Sequence, residues 1–552
     1  MRRILFLPVI ILSFWLFSIP VSAQLSAGGE PAGKGAKAIM PAVPVITLAA
    51  PDPVTLAEQD ALEPVPYRFA VTVPCETDMT KSGSWQTQPD GSNICVLAVE
   101  APGAKALSLF FDSFYIPAGG KLFIYNEKTG QMLGAYTSAN NNTAGTFATQ
   151  LIHGDRLMVE YDQPAGAVMT PGLRISRVAW AYRGVQEPGA TRGFGGSDSC
   201  EVNVNCWEEG HNYQVARKGV VRIQVARNGG LFWCSGSLIN NTRFDGTPYL
   251  ISADHCYKNA TADDLQNWLF YFGYEAPGCE NPVLPPQEKA LMGATLKARA
   301  GDVYLGGSDF LLLLLNDTIP DTFDVYLNGW DRSGLSVSSG VDMHHPQGDI
   351  KKISTFTNPL VTTHWVPGGG DTHWEVIWSG TPNGHGVTEP GSSGSALFDS
   401  AGLIIGTETG GGASCDSFDL SEPDYFGKIS YSWASNGNSP SGQLKPWLDP
   451  DNTGEEKIGG RPLAVETPAP SATLSAFPNP ARDKLTVTMK GWGTKNSFQV
   501  TLFDGRGVPV LSESRSFITH RETFDLPAFS PGLYLLRVSG PTGTMVQKIV
   551  IQ

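Results

Sequence analysis

Tyr249-Leu-Ile-Ser-Ala-Asp-His-Cys256 reads as a strand of small and branched apolar residues that ends by delivering a histidine beside a cysteine. Upstream, Trp233-Cys-Ser-Gly-Ser-Leu-Ile239 holds a second cysteine, and a Cys234–Cys256 bridge would fix His255 against the strand pair. Further on, Gly306-Gly-Ser-Asp-Phe-Leu-Leu-Leu-Leu-Leu315 sets Asp309 at the mouth of an apolar run, too short to span a bilayer and best read as a buried strand. A carboxylate there must be paired, since a lone buried charge is expensive. The imidazole N–H of His255 is its natural partner. Asp254 is not the acid, because a side chain adjacent to His255 leaves the strand in the opposite direction.

Glu389-Pro-Gly-Ser-Ser-Gly-Ser395 supplies the complementary group. Glycines around a serine permit a tight turn in which the backbone N–H groups of Gly391 and Ser393 aim at one point while the Ser393 hydroxyl projects. The motif is not the G-x-S-x-G elbow, because Ser395 stands at its last glycine. Ser392 and Ser395 remain competitors for the projecting hydroxyl. Imidazole, acid, alcohol and paired N–H groups are the parts of an acyl-transfer site.

The chain around these motifs has 552 residues and a formal net charge of −14, with 17% charged residues, 62 Gly and 40 Pro. Low charge with many turn formers points to an all-β architecture of several domains. An acidic chain with no basic run disfavours nucleic acid and anionic membrane as partners. Arg2 and Arg3 precede an apolar run from Ile4 to Ile19, and Val21-Ser-Ala23 has the small-x-small form of a signal-peptide cut before Gln24. No membrane span is expected once that leader, 1–23, is removed. Eight cysteines in an exported chain predict disulfides, and neither CxxC nor Cys/His zinc spacing occurs among them.

Residues 24–66 read as a linker or loose pro-segment, and about 71–184 as a small antiparallel β-sandwich clipped by Cys75–Cys95. The Gly-rich stretch 185–199 carries Arg192, an expected processing site, which bounds a propeptide at 24–192 and a catalytic domain at 193–448. A linker at 449–472 leads to a last β-module at 473–552. Histidines 344, 345, 364, 373 and 385 lack metal-ligand spacing and read as polar or packing residues.

With these motifs on the page, Cys200 to Leu448 resembles the bacterial lysyl endopeptidase family, serine proteases of the chymotrypsin-like double β-barrel fold. The matching pieces are Ser199-Cys200-x5-Cys206, Cys-Ser-Gly-Ser-Leu-Ile-Asn-Asn (234–241), Asp-His-Cys (254–256), Ser-Asp-Phe (308–310), His345-Pro-Gln-Gly-Asp349, Pro-Gly-Ser-Ser-Gly-Ser (390–395) and Asp424-Tyr-Phe-Gly-Lys428. The resemblance implies a His255, Asp309, Ser393 triad in a cleft between two barrels, an oxyanion hole at Gly391 and Ser393, and Asp424 at the floor of a pocket for a lysine ammonium. Asp416 and Asp419 are rivals for that last place. It also implies bridges Cys200–Cys415, Cys206–Cys279 and Cys234–Cys256. One departure stands out: the family's histidine before the glycine pair (Gly410, Gly411) is Thr409 here, with Trp365 as the tryptophan it would stack on. Lysine and arginine both therefore stay open as the residue recognised.

The last module, from Leu474-Ser-Ala-Phe-Pro-Asn-Pro-Ala481 to Lys548-Ile-Val-Ile551, resembles type IX secretion C-terminal sorting domains. That implies a Gram-negative exporter, passage through the periplasm, contact with outer-membrane secretion machinery, and release or attachment at the cell surface. The expectation is a monomeric, secreted zymogen of a serine endopeptidase acting on protein and peptide substrates, with no metal or organic cofactor. The alternative is a displayed adhesin on a dead protease scaffold, and a second alternative gives 71–184 a carbohydrate-binding role.

Overall fold

A computed structural model describes residues 26–34, 40–62, 65–183, 185, 196–282, 286, 288–301, 303–416, 421–463, 473–490, 497–504, 509–516, 521–540 and 543–552. The leader 1–23, Arg192, Asp419 and residues 464–472 of the linker expected at 449–472 lie outside them. The chain divides into two units, 1–463 and 464–552. Strands are the main regular structure of both, with only short helices in the first. Among the described residues no helix is long and apolar enough to cross a membrane.

The first barrel runs, strand beside strand, through Lys289–Met292, Leu269–Phe272, Val220–Arg227, Gly230–Ile239, Tyr249–Ala253, Phe310–Leu315 and Ala294–Arg299. Its two end strands are consecutive in the chain, joined only by Gly293, so the sheet returns on itself. That corner needs a glycine: φ is +84°, and a Cβ would lie 2.7 Å from Asn316 Nδ2. The leucine run Phe310–Leu315 is apolar at every position because both its faces are buried. Leu311, Leu313 and Leu315 fill the first barrel, while Phe310 and Leu312 pack between the barrels with Trp330, Met343 and Phe398.

The second barrel is a ten-stranded sheet whose main path is Val202–Asn203, Lys352–Phe356, Gly340–His344, Ala396–Asp399, Ile404–Gly411, Asp424–Lys428, His373–Val376 and Val361–Thr363. Trp374, Trp378, Leu397 and Phe426 form its apolar interior. Three disulfides staple this half of the chain: Cys200–Cys415, Cys206–Cys279 and Cys234–Cys256.

Ahead of the barrels, residues 45–182 form a β-sandwich. One layer is a six-stranded sheet containing Asn93–Glu100 and Arg156–Gln163, and the other contains Tyr67–Asp78, Gly172–Ala181 and Ala106–Tyr115. The second layer does not stop at the sandwich. Tyr67–Asp78 pairs antiparallel with Gly230–Ile239, matching Val71 with Gly230 and Tyr67 with Trp233. Phe69 stacks on Trp233 with ring centroids 4.2 Å apart, so sandwich and first barrel share one core.

The expected Cys75–Cys95 bridge is corrected: both are free thiols. Cys75 and Glu76 together face a single residue of the neighbouring strand, a bulge in which Glu76 has φ +50°. Cys75 still follows Phe69, Val71 and Val73 onto the shared apolar core, half-buried, and the bulge breaks the alternation only after it. Cys95 is fully buried on the other sheet, its Sγ 3.5 Å from the Met79 carbonyl. Burial pushes its thiol up to about 12, leaving it protonated and inert.

The C-terminal unit is a separate small sandwich. Sheets of three and four strands enclose Val487, Val500, Leu502, Leu536, Val538 and Ile549. Iodoacetamide treatment of denatured, unreduced full-length protein is expected to tag Cys75 and Cys95 and no other cysteine; peptide mapping that finds these two joined overturns the assignment.

Candidate active site

The pairing of Tyr249–Ala253 with Phe310–Leu315 sets Ala253 opposite Phe310, so the residues just beyond each strand meet. The Asp254 N–H donates to the Asp309 carbonyl at 2.8 Å. The His255 N–H donates to Asp309 Oδ1 at 3.0 Å, and His255 Nδ1 lies 2.7 Å from Oδ2. Asp309 is 1% exposed and held at φ +56°, a left-handed conformation unusual for a residue with a side chain. The Arg227 guanidinium pins the turn that carries the histidine, donating to the carbonyls of His255, Cys256 and Lys258 at 2.7, 3.2 and 2.6 Å. Asp254 leaves in the opposite direction and takes Arg299 at 2.5 and 2.8 Å. Burial outweighs that guanidinium and pushes the Asp254 carboxyl up to about 6. His255 Nε2 is buried with no hydrogen-bond partner among the described residues.

The serine loop lies against the same turn. The Ser393 carbonyl accepts from the Ser235 N–H at 2.8 Å and sits 3.7 Å from Cys256 Sγ. Of the three serines, two are committed elsewhere. Ser392 Oγ is 2.7 Å from His344 Nδ1 and accepts the Glu389 N–H, while Ser395 Oγ donates to Asp342 at 2.9 Å. Gly391 has φ +109°, and a Cβ there would lie 2.7 Å from the Gln347 nitrogen, so this turn tolerates only glycine. Neither the Gly391 nor the Ser393 N–H meets an acceptor among the described residues.

Asp424 is 1% exposed on Asp424–Lys428. Its Oδ2 accepts from Trp378 Nε1 at 2.6 Å, Thr388 N at 3.1 Å and Thr388 Oγ1 at 2.8 Å; Oδ1 accepts from Ala413 N at 3.3 Å. Burial still pushes it up to about 6. Asp416, its rival, is exposed. Thr409, Gly410, Gly411 and Trp365 line one cleft with His255 and Asp309, as do Leu62, Val65 and Pro66 from the N-terminal part of the chain.

From the sequence alone His373 reads as a polar or packing residue, with no place in the cleft. Its Nε2 reaches Thr409 Oγ1 at 3.1 Å, and its ring centroid lies 6.3 Å from that of Trp365. Burial lowers this imidazole to about 4, so it is neutral. No local signal marks it, because Thr409 lies two strands away in the sheet.

Residues 194–427 match the family model of the lysyl endopeptidase C-terminal domain, and residues 475–552 match that of the secretion system C-terminal sorting domain. A lysyl endopeptidase of Pseudomonas aeruginosa is 28% identical over 370 residues, which is 64% of this chain and 76% of that protein. Among solved structures, an HtrA-type protease with a tripeptide has a TM-score of 0.27 at 14% identity, covering 39% of this chain and 58% of its own. The thermostable serine protease AL20 from an extremophilic microorganism gives 0.27 at 14% identity, covering 39% and 92%. The VesB protease of Vibrio cholerae gives 0.26 at 12% identity, covering 61% and 95%. The segment 194–427 thus resembles the protease domain of lysyl endopeptidases, the segment 475–552 resembles a secretion system sorting domain, and the chain is a serine protease that is secreted or attached at the cell surface.

Proposed function

We propose that the chain is the precursor of an endopeptidase that cuts after lysine, with arginine as the second substrate, through Ser393, His255 and Asp309. The observation that carries this is the 2.7 Å contact between His255 Nδ1 and Asp309 Oδ2, with Nε2 left unpartnered among the described residues and the Ser393 loop meeting the same turn at Cys256. In this reading His255 takes the Ser393 proton as the hydroxyl attacks the peptide carbonyl. Asp309 holds the ring's tautomer and stabilises the imidazolium. The N–H groups of Gly391 and Ser393 receive the oxyanion, and water then hydrolyses the acyl-enzyme.

Asp424 would face the substrate's side-chain cation, held in position by Trp378 and Thr388. Its chemistry favours a cation strongly because the carboxylate is desolvated. Chymotrypsin-type activation by pairing a new N-terminal amine with an acid before the nucleophile has no counterpart, since that position is Ser392. Leu62, Val65 and Pro66 in the catalytic cleft support a propeptide, 24–192, that shields it until cleavage near Arg192–Gly193. The protease would then be 193–448, followed by the linker 449–472 and the sorting module 473–552.

A fluorophosphonate probe is expected to label wild type, Ser392→Ala and Ser395→Ala but not Ser393→Ala; labelling of the last would transfer the role to another serine. Asp309→Asn should lower kcat by about 10⁴-fold, as loss of the correct tautomer does, whereas Asp254→Asn should change it only a few-fold. Equal losses would remove the distinction between the two acids. Edman sequencing of the secreted enzyme should begin at or near Gly193, and a start far from it would refute the processing site. The pocket carboxyl Asp424 is raised to about 6, so its charge is present above that pH and lost as pH falls through it. For a lysyl peptide kcat/KM should therefore fall more steeply below about pH 6 than for a norleucyl peptide, a difference that Asp424→Ser removes along with most of the activity.

A further inference from the structure

Behind the proposed primary pocket stands a second carboxyl. Glu408 lies on Ile404–Gly411, and its register partner across the sheet is Phe426. Partners in antiparallel strands project to the same face, as do residues two apart, so Glu408 shares a face with Phe426 and Asp424, the interior of the second barrel. It is 4% exposed, and its Oε2 has no hydrogen-bond partner among the described residues.

Asp424 is the opposite case. Three donors converge on its Oδ2 and a fourth on Oδ1. An ionised carboxylate accepts at about four lone-pair sites, so the protein itself nearly saturates Asp424. It supplies charge but has little remaining capacity for hydrogen bonds. A lysine ammonium brings three N–H groups and a guanidinium five, and each needs an acceptor when desolvated.

Two adjacent glycines show how near both acids lie to the cleft. A Cβ on Gly410 would stand 3.2 Å from the Trp365 ring and 4.0 Å from Glu408 Oε1, and one on Gly411 would stand 1.9 Å from Asp424 Oδ1. Gly410 and Gly411 themselves line the cleft with His255 and Asp309. The two carboxyls therefore stand directly behind consecutive positions of the cleft wall. Burial, with Asp424, Asp342 and Asp309 nearby, holds Glu408 well above the usual carboxyl range. A protonated Glu408 thus adds no second charge near Asp424, and an entering cation favours release of the Glu408 proton to water.

We infer that Glu408 is a specificity residue, its carboxyl oxygens accepting hydrogen bonds from the substrate's side-chain cation while Asp424 supplies the field. This rests on the reading of the chain as an endopeptidase for basic residues. The test compares processed wild type, Glu408→Gln, Glu408→Leu and Asp424→Ser on matched peptides with lysine, arginine or norleucine before the cut, scoring only protein that a fluorophosphonate labels. For the lysyl peptide, Glu408→Leu should lose about 30-fold or more in kcat/KM, and Glu408→Gln, which keeps an acceptor oxygen, should lose less. Asp424→Ser should retain a lysine-over-norleucine preference of about tenfold, since Glu408 still accepts. Glu408 variants within threefold of wild type overturn the inference. So does an Asp424→Ser enzyme indifferent to lysine, a result that stands even if the Glu408 variants fail to fold. Labelled wild type that does not prefer basic residues would instead sink the proposed function.

Discussion

The register between Tyr249–Ala253 and Phe310–Leu315 is the constraint on which the site depends. Because Ala253 stands opposite Phe310, the residues that overrun the two strands are forced together. Asp309 then receives the backbone N–H and the ring N–H of His255 at once. A slip by one residue would draw Asp309 or Asn316, which flank the apolar run, into the paired strand and set a polar side chain against an apolar core. The apolar run thus fixes a polar contact at its own end. The left-handed Asp309 is the local cost of that junction, held because its carboxylate and carbonyl are both engaged.

The second barrel follows a different logic. Its interior holds Asp342, His344, Glu408 and Asp424 among tryptophans and a phenylalanine, where an apolar core would be more stable. Some of these groups have clear partners: Ser395 for Asp342, Ser392 and Ser354 for His344, Trp378 and Thr388 for Asp424. They tie the serine loop to the barrel wall from behind. Ser392 and Ser395 are bonded to the barrel and anchor the turn, while the Ser393 hydroxyl between them makes no such bond among the described residues.

Much of this was legible in the residues, and what was not has a common cause. Strand runs that end in His255 and Asp309 announce themselves, since the change from apolar to polar is local and a buried acid demands a partner. The all-β character followed from turn formers and low charge. His373 and Glu408 gave no such sign: a lone histidine or acid on a strand looks the same whether its face meets solvent or a cleft. The bulge at Cys75 and Glu76 was invisible for a similar reason, as it depends on Ser176 across the sheet. The union of sandwich and first barrel was equally out of reach, because nothing in Tyr67–Asp78 names the strand it will join.

That union has a kinetic consequence. Gly230–Trp233 would be a bare sheet edge without Tyr67–Val71, and Trp233 would lose the ring stacked on it. The proposed scission near residue 192 would break one covalent bond and none of these contacts. The two fragments would stay together like the halves of a split protein, and the enzyme would become free at the pace of their dissociation. Dilution outside the cell, or digestion of the departing fragment, would then set the onset of activity, and the cut itself would only permit it.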